Sequence, residues 1–129
     1  MTLIRSISGI RGTIGGAPGE GLTPLDAVRY AAAFGTFIKQ RSGSSSPRMV
    51  LGRDARISGP MMRDLIVGTL VGLGFDVIDL EMATTPTVEL AVPGEKANGG
   101  IILTASHNPA QWNALKLLNE RGEFISAED

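Results

Sequence analysis

Short apolar runs alternate with amphipathic stretches along the chain, and turn-forming residues separate them. The runs predict strands near residues 3–7, 49–52, 75–80, 99–104 and 114–118. The stretches between them predict helices from Pro24 to about Gln40, from about Pro60 to Leu73, and from Thr84 to near Pro93. Buried strands that alternate with helices are typical of a mostly parallel sheet covered on both faces. We therefore predict a three-layer α/β/α domain.

Capping residues and glycines predict where several helices and loops begin or end. Thr23 has the side chain of a helix N-cap, and Asp26 favours the positive end of the helix that follows. Ser58 is a candidate cap for the second helix, which Gly74 would end. Residues 9–21 are rich in glycine and predict a loop, because glycine weakens strands and helices.

Composition narrows the class of protein. The 129 residues are 43% hydrophobic and 19% charged, which excludes a disordered tail. The net charge of −1 argues against a nucleic-acid partner. Cysteine is absent, and no run of apolar residues is long enough for a signal peptide or a membrane span. We expect a cytoplasmic protein with no membrane partner.

The segment 104–109, Thr-Ala-Ser-His-Asn-Pro, follows a predicted buried strand and holds the only histidine. Ligands in α/β sheets bind beyond the carboxyl ends of strands. A Ser–His hydrolase is disfavoured, because adjacent side chains diverge and there is no Gly-x-Ser-x-Gly turn. A second interpretation is a phosphate-bearing Ser106 near Arg11, His107 and Lys116, since phosphoryl transfer depends on placed positive groups.

A plainer alternative also fits these residues. Ser106 and Asn108 are turn-forming residues, and they could merely cap a turn that ends at Pro109. The residues by themselves leave both interpretations open.

Four segments together resemble the first domain of the α-D-phosphohexomutases, which include phosphoglucomutases, phosphomannomutases and phosphoglucosamine mutases. The resemblance covers almost the whole chain, and the segments occur in the family's order. They are Ser8-Gly-Ile-Arg-Gly12, Gly52-Arg-Asp-Ala-Arg56, Thr84-Thr-Pro86, and Thr104-Ala-Ser-His-Asn-Pro109 with Asn113-Ala-Leu-Lys116.

The resemblance implies a phosphoserine at Ser106 that donates phosphate to a hexose phosphate and takes it back. It also implies a Mg²⁺ ion on that phosphate and a hexose 1,6-bisphosphate that is both intermediate and activator. Arg11 and Lys116 would be active-site cations, with Lys116 a candidate proton acceptor, and His107 would lie beside the phosphoserine. The resemblance implies less for Arg53 and Asp54, because an Arg–Asp pair after a strand is often a structural ion pair.

Family members have four domains, and this chain resembles only the first. The Asp-Gly-Asp-Gly-Asp metal loop of the family is missing from the sequence. We therefore expect residues 1–129 to be the catalytic-serine domain of an intramolecular phosphotransferase, an isomerase of carbohydrate metabolism. The later domains would be its partners, and this chain alone would be inactive. The alternative is a stand-alone phosphosugar-binding or interaction module without turnover. The residues that bind the sugar, and which hexose it is, are not predicted.

Overall fold

A computed structural model describes residues 2–6, 9–105, 108–126 and 128–129. Across these ranges the chain forms six strands and three helices. The strands are β1 (Ile4–Ser6), β2 (Gly9–Thr13), β3 (Arg48–Arg53), β4 (Asp76–Met82), β5 (Gly99–Leu103) and β6 (Trp112–Leu118). The helices are α1 (Pro24–Ser42), α2 (Gly59–Gly72) and α3 (Thr85–Gly94). No helix within the described ranges combines the length and the apolar character that crossing a bilayer requires.

The strands form one mixed sheet in the order β1-β2-β6-β5-β3-β4. Strand β3 pairs in parallel with β4 and β5, whereas β6 pairs antiparallel with both β5 and β2. Strand β1 pairs antiparallel with β2 at the edge. Strands β2 to β5 therefore run in one direction, and β1 and β6 run in the other. The predicted α/β class is confirmed, with two reversed strands in the half of the sheet that contains β1, β2 and β6.

Helices cover both faces of the sheet, as predicted for three layers. Helices α1 and α2 pack on one face, which we call the folding face, through residues such as Phe34, Met62 and Leu115. Helix α3 packs on the opposite face, which we call the α3 face, through Val88 and Val92. A Cβ atom on Gly52 of β3 would collide with the Val88 side chain, so glycine there lets α3 lie close to the sheet.

The start of α1 is fixed by a capping box, as Thr23 and Asp26 predicted. The Thr23 hydroxyl accepts the Asp26 backbone N–H, and the Asp26 carboxylate accepts the Thr23 backbone N–H at 3.1 Å. Asp26 is only 2% exposed. Burial raises the pKa of Asp26, but hydrogen bonds from the Thr23 hydroxyl and the backbone N–H groups of Gly19 and Thr23 outweigh it, so the pKa is lowered. The buried carboxylate thus keeps its charge and orders both the helix start and the preceding loop.

The predicted loop over residues 9–21 is wrong at its beginning, because Gly9–Thr13 forms β2. Gly9 has a φ of +113°, and a Cβ atom there would collide with the backbone carbonyl of Leu115 on β6. Glycine at this position serves close approach between two strands. The many glycines of residues 9–21 predicted a loop. The local sequence does not reveal that the β6 backbone lies against Gly9 and requires a residue without a side chain there.

Two helix boundaries differ in detail from expectation. Ser58 precedes α2 as predicted, but within the described chain its hydroxyl makes no capping bond. The hydroxyl instead accepts a hydrogen bond from Asn113 Nδ2 at 2.8 Å. Helix α3 extends one residue past Pro93, close to its predicted end.

Candidate active site

Two of the predicted site residues, Arg11 and Lys116, belong to the neighbouring strands β2 and β6, and the segment that carries Ser106 follows β5, the next strand in the sheet. Strand β2 ends at Thr13, which is paired with Trp112 at the start of β6. Strand β5 ends at Leu103, and the next residue, Thr104, donates its backbone N–H to the carbonyl of Ala114 at 3.2 Å. The segment that carries the serine therefore leaves the sheet between β5 and β6, at the carboxyl end of the parallel strands.

Ser106 and His107 lie outside the described residues. The residues before them are described: Thr104 and Ala105 are both buried, at 9% and 3% exposed. After them, Asn108 donates its backbone N–H to the Ala105 carbonyl at 3.0 Å. The phosphate predicted on Ser106 and the place of His107 beside it remain predictions.

Arg11 and Lys116 lie on the same face of the sheet. Arg11 on β2 is paired with Ala114 on β6, and Lys116 follows Ala114 by two residues. Cross-strand partners and residues two apart in a strand point to the same side of a sheet. Lys116 is paired with Ile102, which belongs to the core under α3. Both cations therefore lie on the α3 face. Their position relative to Ser106 and their chemical roles remain predictions.

The Arg11 side chain contains an unusual buried donor. Its Nε is buried and has no hydrogen-bond partner among the described residues. A buried donor that stays unpaired costs roughly 1–3 kcal/mol, and more when the group is charged. An acceptor such as a phosphate oxygen would remove this cost.

The Gly-Arg-Asp-Ala-Arg segment spans the end of β3, and its side chains bind residues 104–112, which we call the serine segment. Asp54 Oδ2 accepts the Thr104 hydroxyl at 2.7 Å and Arg56 Nε at 3.1 Å. Its other oxygen, Oδ1, accepts the backbone N–H of Arg56 at 3.2 Å. The ion pair suspected for Arg53 and Asp54 is therefore formed by Asp54 with Arg56.

Arg56 also binds the part of the serine segment that follows His107. Its Nη1 donates to the carbonyls of Pro109 at 2.8 Å and Trp112 at 3.0 Å. Its Nη2 donates to the carbonyl of Asn108 at 3.0 Å. The Arg56 side chain is only 12% exposed. The planar guanidinium thus has its three nitrogens directed at one carboxylate and three backbone carbonyls.

A family model for phosphoglucomutase/phosphomannomutase, alpha/beta/alpha domain I, matches residues 3–129. This chain belongs to that family. A phosphoglucomutase/phosphomannomutase from Thermococcus kodakarensis is 42% identical over 91% of the chain. A phosphoglucosamine mutase from Limosilactobacillus reuteri is 34% identical over 88% of it. The chain spans about a quarter of the length of these relatives, 26% and 25%.

A solved structure agrees with the assignment to domain I. The crystal structure of a protein assigned as a phosphomannomutase from Thermus thermophilus superposes with a TM-score of 0.81 and 30% identity. The match covers 99% of this chain and 28% of that one. The resemblance found in the sequence is thereby confirmed at the level of family and fold.

Two polar contacts of this domain I were missed in the sequence. Arg56 belongs to the Gly-Arg-Asp-Ala-Arg segment, but the backbone carbonyls that it binds lie 52 to 56 residues later in the chain. Asn113, which is fully buried, was quoted only as part of a motif, although its side chain joins β6 to the start of α2. No local pattern in the sequence pointed to either contact, because both depend on how distant segments meet.

Proposed function

We propose that this chain is the serine-bearing domain of a phosphohexomutase that interconverts hexose 1-phosphates and 6-phosphates. The observation that carries the proposal is the buried Arg11 Nε, which has no partner within the described residues and lies on the same face as Lys116. A phosphoryl group presents the oxygen acceptors that such a donor needs. Membership of the domain I family supports the same reaction class.

In the proposed reaction, a hydroxyl oxygen of the sugar attacks the phosphorus of phosphorylated Ser106. The bond between phosphorus and the serine oxygen breaks, the hydroxyl proton passes to the amine of Lys116, and the released serine oxygen takes up a proton from water. The resulting hexose 1,6-bisphosphate reorients, and the Ser106 oxygen attacks its other phosphorus as the serine proton returns to water. The bond between that phosphorus and the sugar oxygen breaks, and the sugar oxygen takes the proton held by Lys116. Arg11 and His107 would donate to the transferring oxygens, whose charge must be balanced throughout.

The predicted Mg²⁺ ion does not fit the described residues alone. Magnesium is bound through oxygen ligands, chiefly carboxylates and phosphates. No group of three His, Cys, Asp or Glu side chains in the described ranges could hold a metal ion. Both oxygens of Asp54, the carboxylate bonded to Thr104, already accept hydrogen bonds. We therefore assign the carboxylate ligands of Mg²⁺, and the residues that bind the sugar, to later domains of the full-length protein.

A hexose phosphate substrate, a bisphosphate activator and a cytoplasmic location belong to the same proposal. The two relatives are named for glucose, mannose and glucosamine phosphates, so each of these sugars is a candidate hexose. The assay must therefore offer all three.

The test is a coupled assay of the full-length protein with glucose 1-phosphate, mannose 1-phosphate and glucosamine 6-phosphate, each with Mg²⁺ and the matching bisphosphate. We expect turnover with at least one sugar and none in Ser106→Ala. Turnover that survives Ser106→Ala would overturn the proposal. Binding of a sugar phosphate without any turnover would favour the stand-alone binding module.

The 129-residue chain alone should show no turnover in the same assay. Without other domains it lacks the positioning of the sugar, which in well-oriented reactions is worth roughly 7–11 kcal/mol of the barrier. Activity of the purified chain that disappears in Ser106→Ala would contradict this part of the proposal.

A further inference from the structure

Asp54 and Arg56 hold the serine segment from both sides. On the side before Ser106, the Asp54 carboxylate binds the Thr104 hydroxyl. On the side after His107, the Arg56 guanidinium binds the carbonyls of Asn108 and Pro109. The two side chains also bind each other. Only residues 105–107 lie between the two anchored ends.

We propose that Asp54 and Arg56 are positioning residues, which together fix the place of Ser106 relative to the two cations of the α3 face. The proposal rests on the proposed phosphoryl transfer for its catalytic consequence. Neither side chain needs to touch the substrate. Their contribution is to restrict the conformations of the short stretch that they bracket.

The chemistry of the contacts favours positioning over general stabilisation. Three of the hydrogen bonds from Arg56 end on backbone carbonyls of residues 108–112. Bonds to backbone oxygens fix the path of the chain, whichever side chains the segment carries. The guanidinium has five donors in a rigid plane, so it can hold several carbonyls in a fixed arrangement. A lysine has the same charge but lacks this geometry.

The position of the serine matters for this reaction class because phosphoryl transfer depends chiefly on alignment and charge. A misplacement of about 1 Å can lower a rate by roughly 100-fold. Loss of the Arg56 contacts would free the carbonyls of Asn108 and Pro109, while Thr104 stays bound to Asp54 and Gln111 still accepts the Ile14 backbone N–H at 2.8 Å. We therefore expect Arg56→Lys to act on the rate of the chemical step rather than on the sheet.

The first experiment measures amide hydrogen exchange by NMR in the full 129-residue chain, comparing wild type with Arg56→Lys. The amides of Asn108 and Trp112, which bond to Ala105 and Pro109, report on the segment. We expect their exchange to rise at least tenfold, while the amides of β3 and of residues 113–118 in β6 stay within twofold of wild type. Unchanged exchange at these two amides, or an equal rise across the sheet, would overturn the proposal.

The matched control for this experiment is Arg63→Lys. Arg63 also binds carboxylates, with Nε bonded to Asp79 at 2.6 Å and Nη1 bonded to Asp64 at 2.8 Å. It lies on α2 and has no hydrogen bond to residues 104–112 among those described. Exchange at Asn108 and Trp112 should not change in this variant.

The second experiment measures kcat and KM of the full-length protein. In Arg56→Lys we expect kcat to fall by about 100-fold, as a displacement near 1 Å would cause, with KM changed by less than threefold. In Arg56→Ala, added guanidinium should restore part of the lost kcat. An unchanged kcat would overturn the proposal. If the wild type shows no turnover at all, the proposed function fails, and the exchange experiment still decides whether the pair holds the segment.

Discussion

The two faces of the sheet are built differently. On the folding face, the described residues include sixteen buried hydrophobic side chains in one cluster with α1 and α2. On the α3 face, the corresponding cluster has six, and Arg11 and Lys116 lie on the part of that face formed by β2 and β6. One face therefore supplies most of the apolar burial that stabilises the fold. The other presents charged groups beside the serine segment.

Strand β6 shows this difference within seven residues. Leu115 and Leu117 point into the large core on the folding face. Ala114 and Lys116, which alternate with them, point to the α3 face. Substitutions at neighbouring positions of β6 can therefore test stability and turnover separately. We expect a change at Leu115 to lower the free energy of unfolding and a change at Lys116 to lower kcat.

The largest effect is expected from Lys116→Met in the full-length protein. Loss of a proton acceptor lowers turnover by about 100- to 10,000-fold in general acid–base catalysis, while the methionine side chain preserves most of the packing. The measurement is kcat in the coupled assay, with circular dichroism to check the fold. Lys96→Met, which removes the same charge from an exposed position, is the control. Near-normal turnover would remove Lys116 from the mechanism.

The next largest effect is expected on stability, and it differs between the large hydrophobic cluster of the folding face and the smaller cluster of the α3 face. Leu115→Ala on the folding face should destabilise the chain by about 2–5 kcal/mol, because it opens a cavity in the larger cluster. Val88→Ala on α3 removes two methylene equivalents from the smaller cluster, which corresponds to about 1.6 kcal/mol of transfer free energy at about 0.8 kcal/mol each. Urea unfolding of both variants measures the difference. If Val88→Ala were the more damaging change, the two faces would not differ in the way that their burial indicates.

The smallest effect concerns Asp26, a charge on the folding side that has no predicted chemical role. Its pKa is lowered in the folded chain, so its contribution to stability is complete above the ordinary value of 3.8 and is lost as the pH falls through the folded value. Asp26→Asn should cost about 1–3 kcal/mol at pH 7, because it weakens several buried hydrogen bonds.

Urea unfolding between pH 2 and 7 tests this prediction. The stability of Asp26→Asn should change less with pH below 4 than that of the wild type. Asp64→Asn, at a side chain that is 70% exposed, serves as the control and should follow the wild-type curve. Parallel curves for Asp26→Asn and wild type would show that the carboxylate is not what stabilises the start of α1.

Much of the fold could be predicted because its signals are local. The Thr23 cap, the apolar runs of β3 and β5, and the alternation of strands with helices all lie within short windows of sequence. The error at residues 9–13 arose because the same glycines that suggest a loop also permit Gly9 to approach the Leu115 carbonyl. That approach is set by the partner strand, which the local sequence does not reveal.

Candidate site residues could be singled out in the sequence where a motif contains a charged residue type. Contacts that depend on how distant segments meet could not be predicted. Arg11 and Lys116 were singled out from their motifs, and the strand register places them on one face. Arg56 was overlooked, because its significance comes from three carbonyls in a segment about fifty residues away. Asp54 was assigned to Arg53, its neighbour in sequence, although the structure pairs it with Arg56.

The pairing of β2 with β6 has a consequence for how the domain is made on the ribosome. Ile10 is paired with Leu115, so the first strands of the chain can enter the sheet only after the last strand has been synthesised. At 5–20 residues per second, the interval between these two positions is roughly 5–20 seconds. During that time the glycine-rich segment 9–21 is without β6 as a partner and is open to chaperones and proteases. Arg11 therefore reaches its place beside β6 only late in synthesis.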